Sequence, residues 1–256
     1  MKAHLAALAL AAALTTAEAG HACEPKPPTP AAVQRSIELA ERTRQALDAS
    51  GAQVVLLARA GQDLSRHGLQ WSHLGWAYRG ADGWRVLHKL NACGSAEGAV
   101  YRQGLGEFFL DDLWRYRAGV VVPQRAAQAQ LLPLLQDNAR ATRLHERAYS
   151  MVAYPWAQTY QQSNQWAIET FAMAAEPAVR SRAQAQAWLQ FKGYEPTVLR
   201  IGALTRLGAR ASAAHIAFDD HPSAKRFADR IETVTVDSVF AWMARSGLGE
   251  TVQVVQ

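Results

Sequence analysis

The stretch "SHLGWAYRGADGWRVLHKLN", Ser72 to Asn91, constrains the fold more than any other part of the chain. Two runs rich in aromatic and aliphatic residues flank "GADG", and glycines around an aspartate favour the tight reversal of a β-hairpin. Side chains along a strand alternate between its faces, so the length of the connection decides which residues meet. An even connection, of two or four residues, puts odd-numbered residues of the first strand opposite even-numbered residues of the second. His73, Gly75 and Ala77 then share a face with Val86, His88 and Leu90, with Gly75 opposite His88 and His73 on the diagonal. An odd connection would separate the two histidines. Leu74, Trp76 and Tyr78 make the other face, which reads as core. Gly75 and Ala77 are small, so the histidine face is expected to floor a hollow.

The rest of the chain fixes the class around that hairpin. Thr29 followed by Pro30 gives a cap and a first helical residue for a helix ending near Gly51. "AQVVLLARA" is an apolar, β-branched run suited to a buried strand. "GEFFLDDLWRYRA" reads as a short amphipathic helix, "GVVVP" as a strand, and Gln124 to Arg140 as a helix. Beyond Ala153, "NQWAIETFAMAAE", "VRSRAQAQAWLQF", "PTVLRIGALTRLG" and "SVFAWMARSG" all have helical spacing, with "AAHIAF" and "ETVTV" as the strand candidates there. The expectation is an α+β fold: an antiparallel sheet with packed helices. It forms one domain over 31–256, and the C-terminal half is rich in helix.

At 256 residues the chain is long enough to bury a substantial core. Residues 1–19 combine Lys2, an apolar run from Leu5 to Leu14 and the small-x-small triplet ending at Ala19, the pattern of a cleaved signal peptide. The mature protein is expected in the periplasm or secreted. Cys23 as a lipidated first residue fits poorly, because "GHAC" lacks an aliphatic residue three places before it. Residues 20–30 are a proline-rich leader. Cys23 and Cys93 are the two cysteines, and an oxidising compartment predicts a disulfide between them. A metal site is not expected, since neither cysteine has a second ligand at C-x-x-C spacing, and no cofactor is implied. "AFDD" between His215 and His221 has possible ligands, but loop composition explains it. Net charge is +5, or +5 − 1 = +4 without Lys2, with pI near 9.4. The arginines are dispersed among acids, which argues against nucleic acid. No stretch reaches the length of a transmembrane helix.

The segment "QQSNQWAIETF", from Gln161, enters a helix with polar groups at its mouth. Ser163 or Asn164 can cap it, and the amide groups of its first turn carry partial positive charge. A thiol placed there beside a histidine would be a nucleophile. Gln165 occupies that slot and offers only hydrogen bonds. Glu169, one turn on, shares its face. Tyr160 and Trp166 with Asn164, Gln165 and Glu169 are candidate binding residues; the aromatics are equally suited to the core.

"SHLGWAYR", a polar residue fifteen positions later and a helix opening with Asn164 and Gln165 resemble the circularly permuted papain-like superfamily of amidases, peptidases and acyltransferases. That resemblance implies His73 as general base, His88 as its orienter and a cysteine where Gln165 stands, so the nucleophile is missing. More of the chain, through "GQDLS", "LNACG", "GEFFLDDL", "YSMVAYPW" and "SNQWAIE", resembles an uncharacterised exported proteobacterial family known as a numbered domain of unknown function (two-one-four-five).

Three functions are then open. A degenerate papain-like cleft would bind a peptide or peptidoglycan-derived fragment. An active amide or ester hydrolase or acyltransferase would use Ser163 with His73 and His88. A structural component of an envelope complex would keep the histidines as core and dock on a protein partner.

Overall fold

In the computed structural model of the chain, residues 27–111 and 113–256 are described. The expected signal segment 1–19, the first part of the leader 20–30 and Cys23 lie outside the described residues.

Helix α1 (Pro30–Ser50) begins and ends on the expected signals. Thr29 Oγ1 accepts from Ala32 N at 3.2 Å, Pro30 takes the first helical position, and Gly51 closes it at φ 67°. Strand β1 (Val54–Ala60) follows, buried along its whole length. Then come β2 (His73–Gly80), β3 (Gly83–Asn91) and β4 (Gly98–Gly104), with the short α2 (Leu105–Phe109) and β5 (Arg115–Val121). After these lie α3 (Arg125–Gln136), α4 (Asn138–Ala141), α5 (Ser163–Ala175) and α6 (Arg182–Phe191). The remainder is β6 (Thr197–Arg200), α7 (Ala203–Ser212), α8 (Ser223–Phe227), β7 (Arg230–Thr233), α9 (Val236–Arg245) and β8 (Gln253–Val255).

The fold is α+β. A six-stranded antiparallel sheet runs in the order β4-β3-β2-β1-β5-β8. The hairpin has the expected register: Gly80 pairs with Gly83, Tyr78 with Arg85 and Trp76 with Leu87. Because the register is even, the two sheet faces are the two sets of residues read from the sequence. Leu74, Trp76, Tyr78 and Leu87 join α3, α5 and α9 in one core, with Leu131, Phe171 and Phe240. Ala77, Val86, Val55 and Leu57 join α1 and α2 in the other, with Leu39, Leu47, Phe108 and Phe109. Burial of this apolar area, at about 25 cal/mol per Å², holds the layers together. Helix α5 is buried almost all round, as a helix between a sheet and further helices must be.

Four expectations need correction. The helix expected over "GEFFLDDLWRYRA" stops at Phe109, and its second half pairs with β1 as strand β5. The helix expected from Gln124 to Arg140 breaks at Asp137, whose carboxylate accepts from Ala139 N and Arg140 N and restarts the chain as α4. "PTVLRIGALTRLG" divides into β6 and α7 at Gly202, because Thr197 to Arg200 pair with β7. "AAHIAF" forms turns, and its Ile216 and Phe218 pack beneath the β6–β7 ribbon with Ile231.

Candidate functional site

The two histidines meet. Gly75 lies opposite His88, and a Cβ there would stand 2.8 Å from His88 Cβ, so only glycine lets the strands approach at this point. His73 Nε2 is 2.8 Å from His88 Nδ1, and His88 Nε2 is 2.7 Å from Gln103 Oε1 on β4. Gln103 Nε2 donates to Glu107 Oε1 at 3.1 Å, which orients the amide. Its oxygen therefore accepts from His88 Nε2–H, His88 Nδ1 accepts from His73 Nε2–H, and His73 Nδ1 keeps a lone pair. The result is an aligned chain from Glu107 at the surface to His73 inside.

The lid on this chain is apolar and cationic. Phe108 stands 6.0 Å from the His73 ring and 5.2 Å from the His88 ring. Arg59, opposite His73 on β1, lies over Phe108 and donates to Phe108 O and to Asp111. Burial first, and the Arg59 charge second, push both imidazoles down: His73 well below its ordinary value, His88 to about 4. Both are neutral at pH 7. The expected hollow above them is filled by α2.

The helix mouth lies on the other side of the sheet. Gln162, rather than Ser163 or Asn164, is the cap of α5, and its Oε1 accepts from Asn164 N at 3.3 Å. Asn164 Oδ1 accepts from Leu74 N at 3.2 Å, where β2 has left β3, and its Nδ2 donates to Val234 O. Ser163 Oγ lies 3.4 Å from Tyr149 OH. The sequence expectation that His73 and His88 face this mouth is thus corrected. Leu74 and Trp76 face α5, with Trp76 stacked on Phe171 at 5.8 Å, so the odd-numbered His73 must face away.

The remaining candidates are tied together differently. Glu169, wholly buried, accepts from Arg182 Nε at 2.8 Å, Gln186 Nε2 at 2.9 Å and Gln165 Nε2 at 3.2 Å. Gln161 Nε2 donates to the same carboxylate and links it to Lys89, which burial lowers to about 7. This network joins β3, α5, α6 and the loop before α5 as a hydrogen-bonded interior around Glu169 rather than a cleft, although Gln165 Oε1 is buried in it without a partner. Trp166 is fully buried in the core, and Tyr160 OH contacts Asp219 at 3.3 Å. His221 is buried between Asp220 and Glu232 O, at 2.9 Å from each. Among the described residues no group of three or more His, Cys, Asp and Glu is placed to hold a metal.

Sequence reasoning missed a surface hollow of about 250 Å³ between the loop 65–70 and the start of β5. Trp114 is 41% exposed at its rim, with the Arg115 guanidinium 4.0 Å from its ring centre. Arg117 lies 4.7 Å from the Trp71 ring and donates to Gln70 O at 3.2 Å, while its Nε is buried without a hydrogen-bond partner. Neither arginine has an acid within ion-pair distance among the described residues. Asp237, whose charge acts on Arg117 without an ion pair, accepts instead from Gln70 N and Trp71 N and so holds the loop in place. The one signal in the sequence was "WRYRA", alternating an aromatic with arginines on a strand, which the helical reading concealed.

No curated protein and no solved structure matches the chain. A family model described as "Uncharacterized protein conserved in bacteria (DUF2145)" matches residues 46–243, from the last turns of α1 to the last turn of α9. That span holds both sheet faces, the imidazole chain, the helix mouth and the hollow, and the chain therefore belongs to this uncharacterised bacterial family.

Proposed function

We propose that this is an exported binding protein that holds a carboxylate-bearing peptide or cell-wall fragment in the hollow between Gln70 and Arg117. The observation that carries the reading is Arg117, whose Nε is buried beside an open hollow and lacks an acceptor. A buried donor left unpaired costs about 1–3 kcal/mol, and a ligand carboxylate would remove that cost with a charge-assisted pair. Trp114 offers a flat face for a sugar ring or an aliphatic side chain. A hollow of about 250 Å³ is small for a whole ligand, so it suits one residue or one sugar of a longer chain.

Hydrolysis by Ser163 is not supported by the same geometry, since the sheet stands between the serine and the imidazoles. Export is supported by the signal-like residues 1–19. Pairing of Cys93 with Cys23 is supported by its exposed turn after β3, by the absence of any free cysteine among the described residues and by Cys23 being the only other cysteine in the chain. Thiol titration of unfolded, unreduced protein is expected to find no reactive thiol; two would remove the disulfide from the proposal.

Thermal-shift screening against muropeptides tests the function. Stabilisation by fragments with free carboxylates, absent in Arg117→Gln and Trp114→Ala, is the expected result. Turnover of an amide or ester substrate that is lost in Ser163→Ala would replace binding with catalysis.

A further inference from the structure

Residues 197–233 form an appendage distinct from the six-stranded sheet: the two-stranded ribbon β6–β7 carrying α7 and α8. Its outer surface carries three of the four most exposed large apolar side chains among the described residues, the fourth being Phe191 at the end of α6. Leu204 is 85% exposed, Leu207 68% and Phe227 77%. Leu204 and Leu207, three residues apart, lie on one face of α7. The opposite face is committed, with Ala209 against the core under the ribbon and Arg206 paired to Asp229 at 2.7 Å. That pair also ties α7 to the turn after α8, because Asp229 lies two residues after Phe227. Helix α7 buries no residue of its own, so ordinary packing does not account for its leucines.

Charge identifies the occupant. The acids of the appendage are all engaged: Asp229 with Arg206, Glu232 with Lys225, Asp220 with His221 and Asp219 with Tyr160. Arg200, Arg210, Arg226 and Arg230 have no acid within ion-pair distance among the described residues. Large exposed apolar side chains on elements that also carry arginines without an acid partner, one of them, Arg226, lying over the Phe227 ring at 5.4 Å, match a surface whose interior is hydrocarbon and whose headgroups are anionic. A protein partner would have to bring acids of its own in a matching shape, whereas an anionic bilayer supplies phosphates over any geometry. We propose that α7 and α8 dock the protein onto anionic phospholipid surfaces, with Leu204, Leu207 and Phe227 entering the headgroup boundary and the four arginines meeting phosphates. No helix of the described residues is long and apolar enough to cross a membrane, so this would be attachment rather than insertion.

Flotation of the full-length mature protein with vesicles tests it, using pure phosphatidylcholine against a mixture with phosphatidylglycerol. Recovery with the anionic vesicles should exceed that with the neutral ones by at least about tenfold and fall steeply with salt. The doubly substituted Leu204→Ser, Leu207→Ser protein should lose roughly tenfold or more, and each Arg→Gln at the four positions roughly fivefold. Apart from the half-buried Arg226 these side chains are exposed, so unchanged thermal midpoints would separate docking from misfolding. Equal recovery on both vesicles, or none, would overturn the proposal. So would self-association that disappears with the two serines, because it would give this face to a second copy. Trp114→Ala and Arg117→Gln should float normally, so failure here leaves the ligand hollow untouched, and the converse holds.

Discussion

At the scale of single residues, the buried imidazole pair makes stability depend on pH in a defined direction. Both rings are held below the value of about 6.5 that they take in an unfolded chain. The unfolded state therefore binds more protons in acid, and the stability they contribute is complete above about pH 6.5 and is lost as the pH falls toward about 4, where His88 titrates. The loss should be of the order of 3 kcal/mol for His88 alone. Urea unfolding at pH 7 and at pH 4.5 should show the decline, with a shallower slope in His88→Gln; an unchanged slope in that variant would assign the acid sensitivity elsewhere. Glu169 makes a second test. Removing its carboxylate in Glu169→Ala strands the Arg182 guanidinium, which is 8% exposed, and should cost about 3–5 kcal/mol in the same measurement. Neither residue's interior role was legible in the sequence. A histidine on a strand and an acid one turn into a helix are written identically whether they serve a cleft or a core.

At the scale of elements, the hairpin was legible because its parity is set by "GADG" and its faces by composition. The register from Trp76–Leu87 to Gly80–Gly83 has the expected pairing. Gly75→Ala should therefore overpack against His88 Cβ, Leu87 O and Val86 Cγ1, at 2.8–3.0 Å, and cost about 1–3 kcal/mol in denaturant unfolding. A neutral result would mean that β2 and β3 can part at this point. Local pattern misleads where two periods overlap. "VLRIGALTRLG" fits a helical spacing, yet Thr197 to Arg200 lie against β7, and a partner 30 to 36 residues away in sequence outweighs local pattern. Strand β4 was missed because "GAVYRQG" pairs on one edge only and shows neither an apolar run nor a clean alternation.

At the scale of the whole molecule, the sequence gives two faces to the sheet but no rule for which face a later helix will cover. Helix α5 took the Trp76 face, and that single choice separates the helix mouth from His73 and His88. The hollow was illegible for a similar reason: its walls, the loop at Gln70 and the strand at Trp114, lie far apart in the chain and meet only when β5 pairs with β1. What remains distinctive is the hollow lined by Arg117 and Trp114, where a buried donor without a partner borders open space. Calorimetric titration of the mature protein with a muropeptide bearing free carboxylates addresses that pairing directly. Saturable binding is expected, weakened at least about tenfold in Arg117→Gln and Trp114→Ala, a change of roughly 1.4 kcal/mol, while His73→Ala and Ser163→Ala bind as the wild type does. Binding that survives loss of Trp114 and Arg117 but disappears in Ser163→Ala would contradict it.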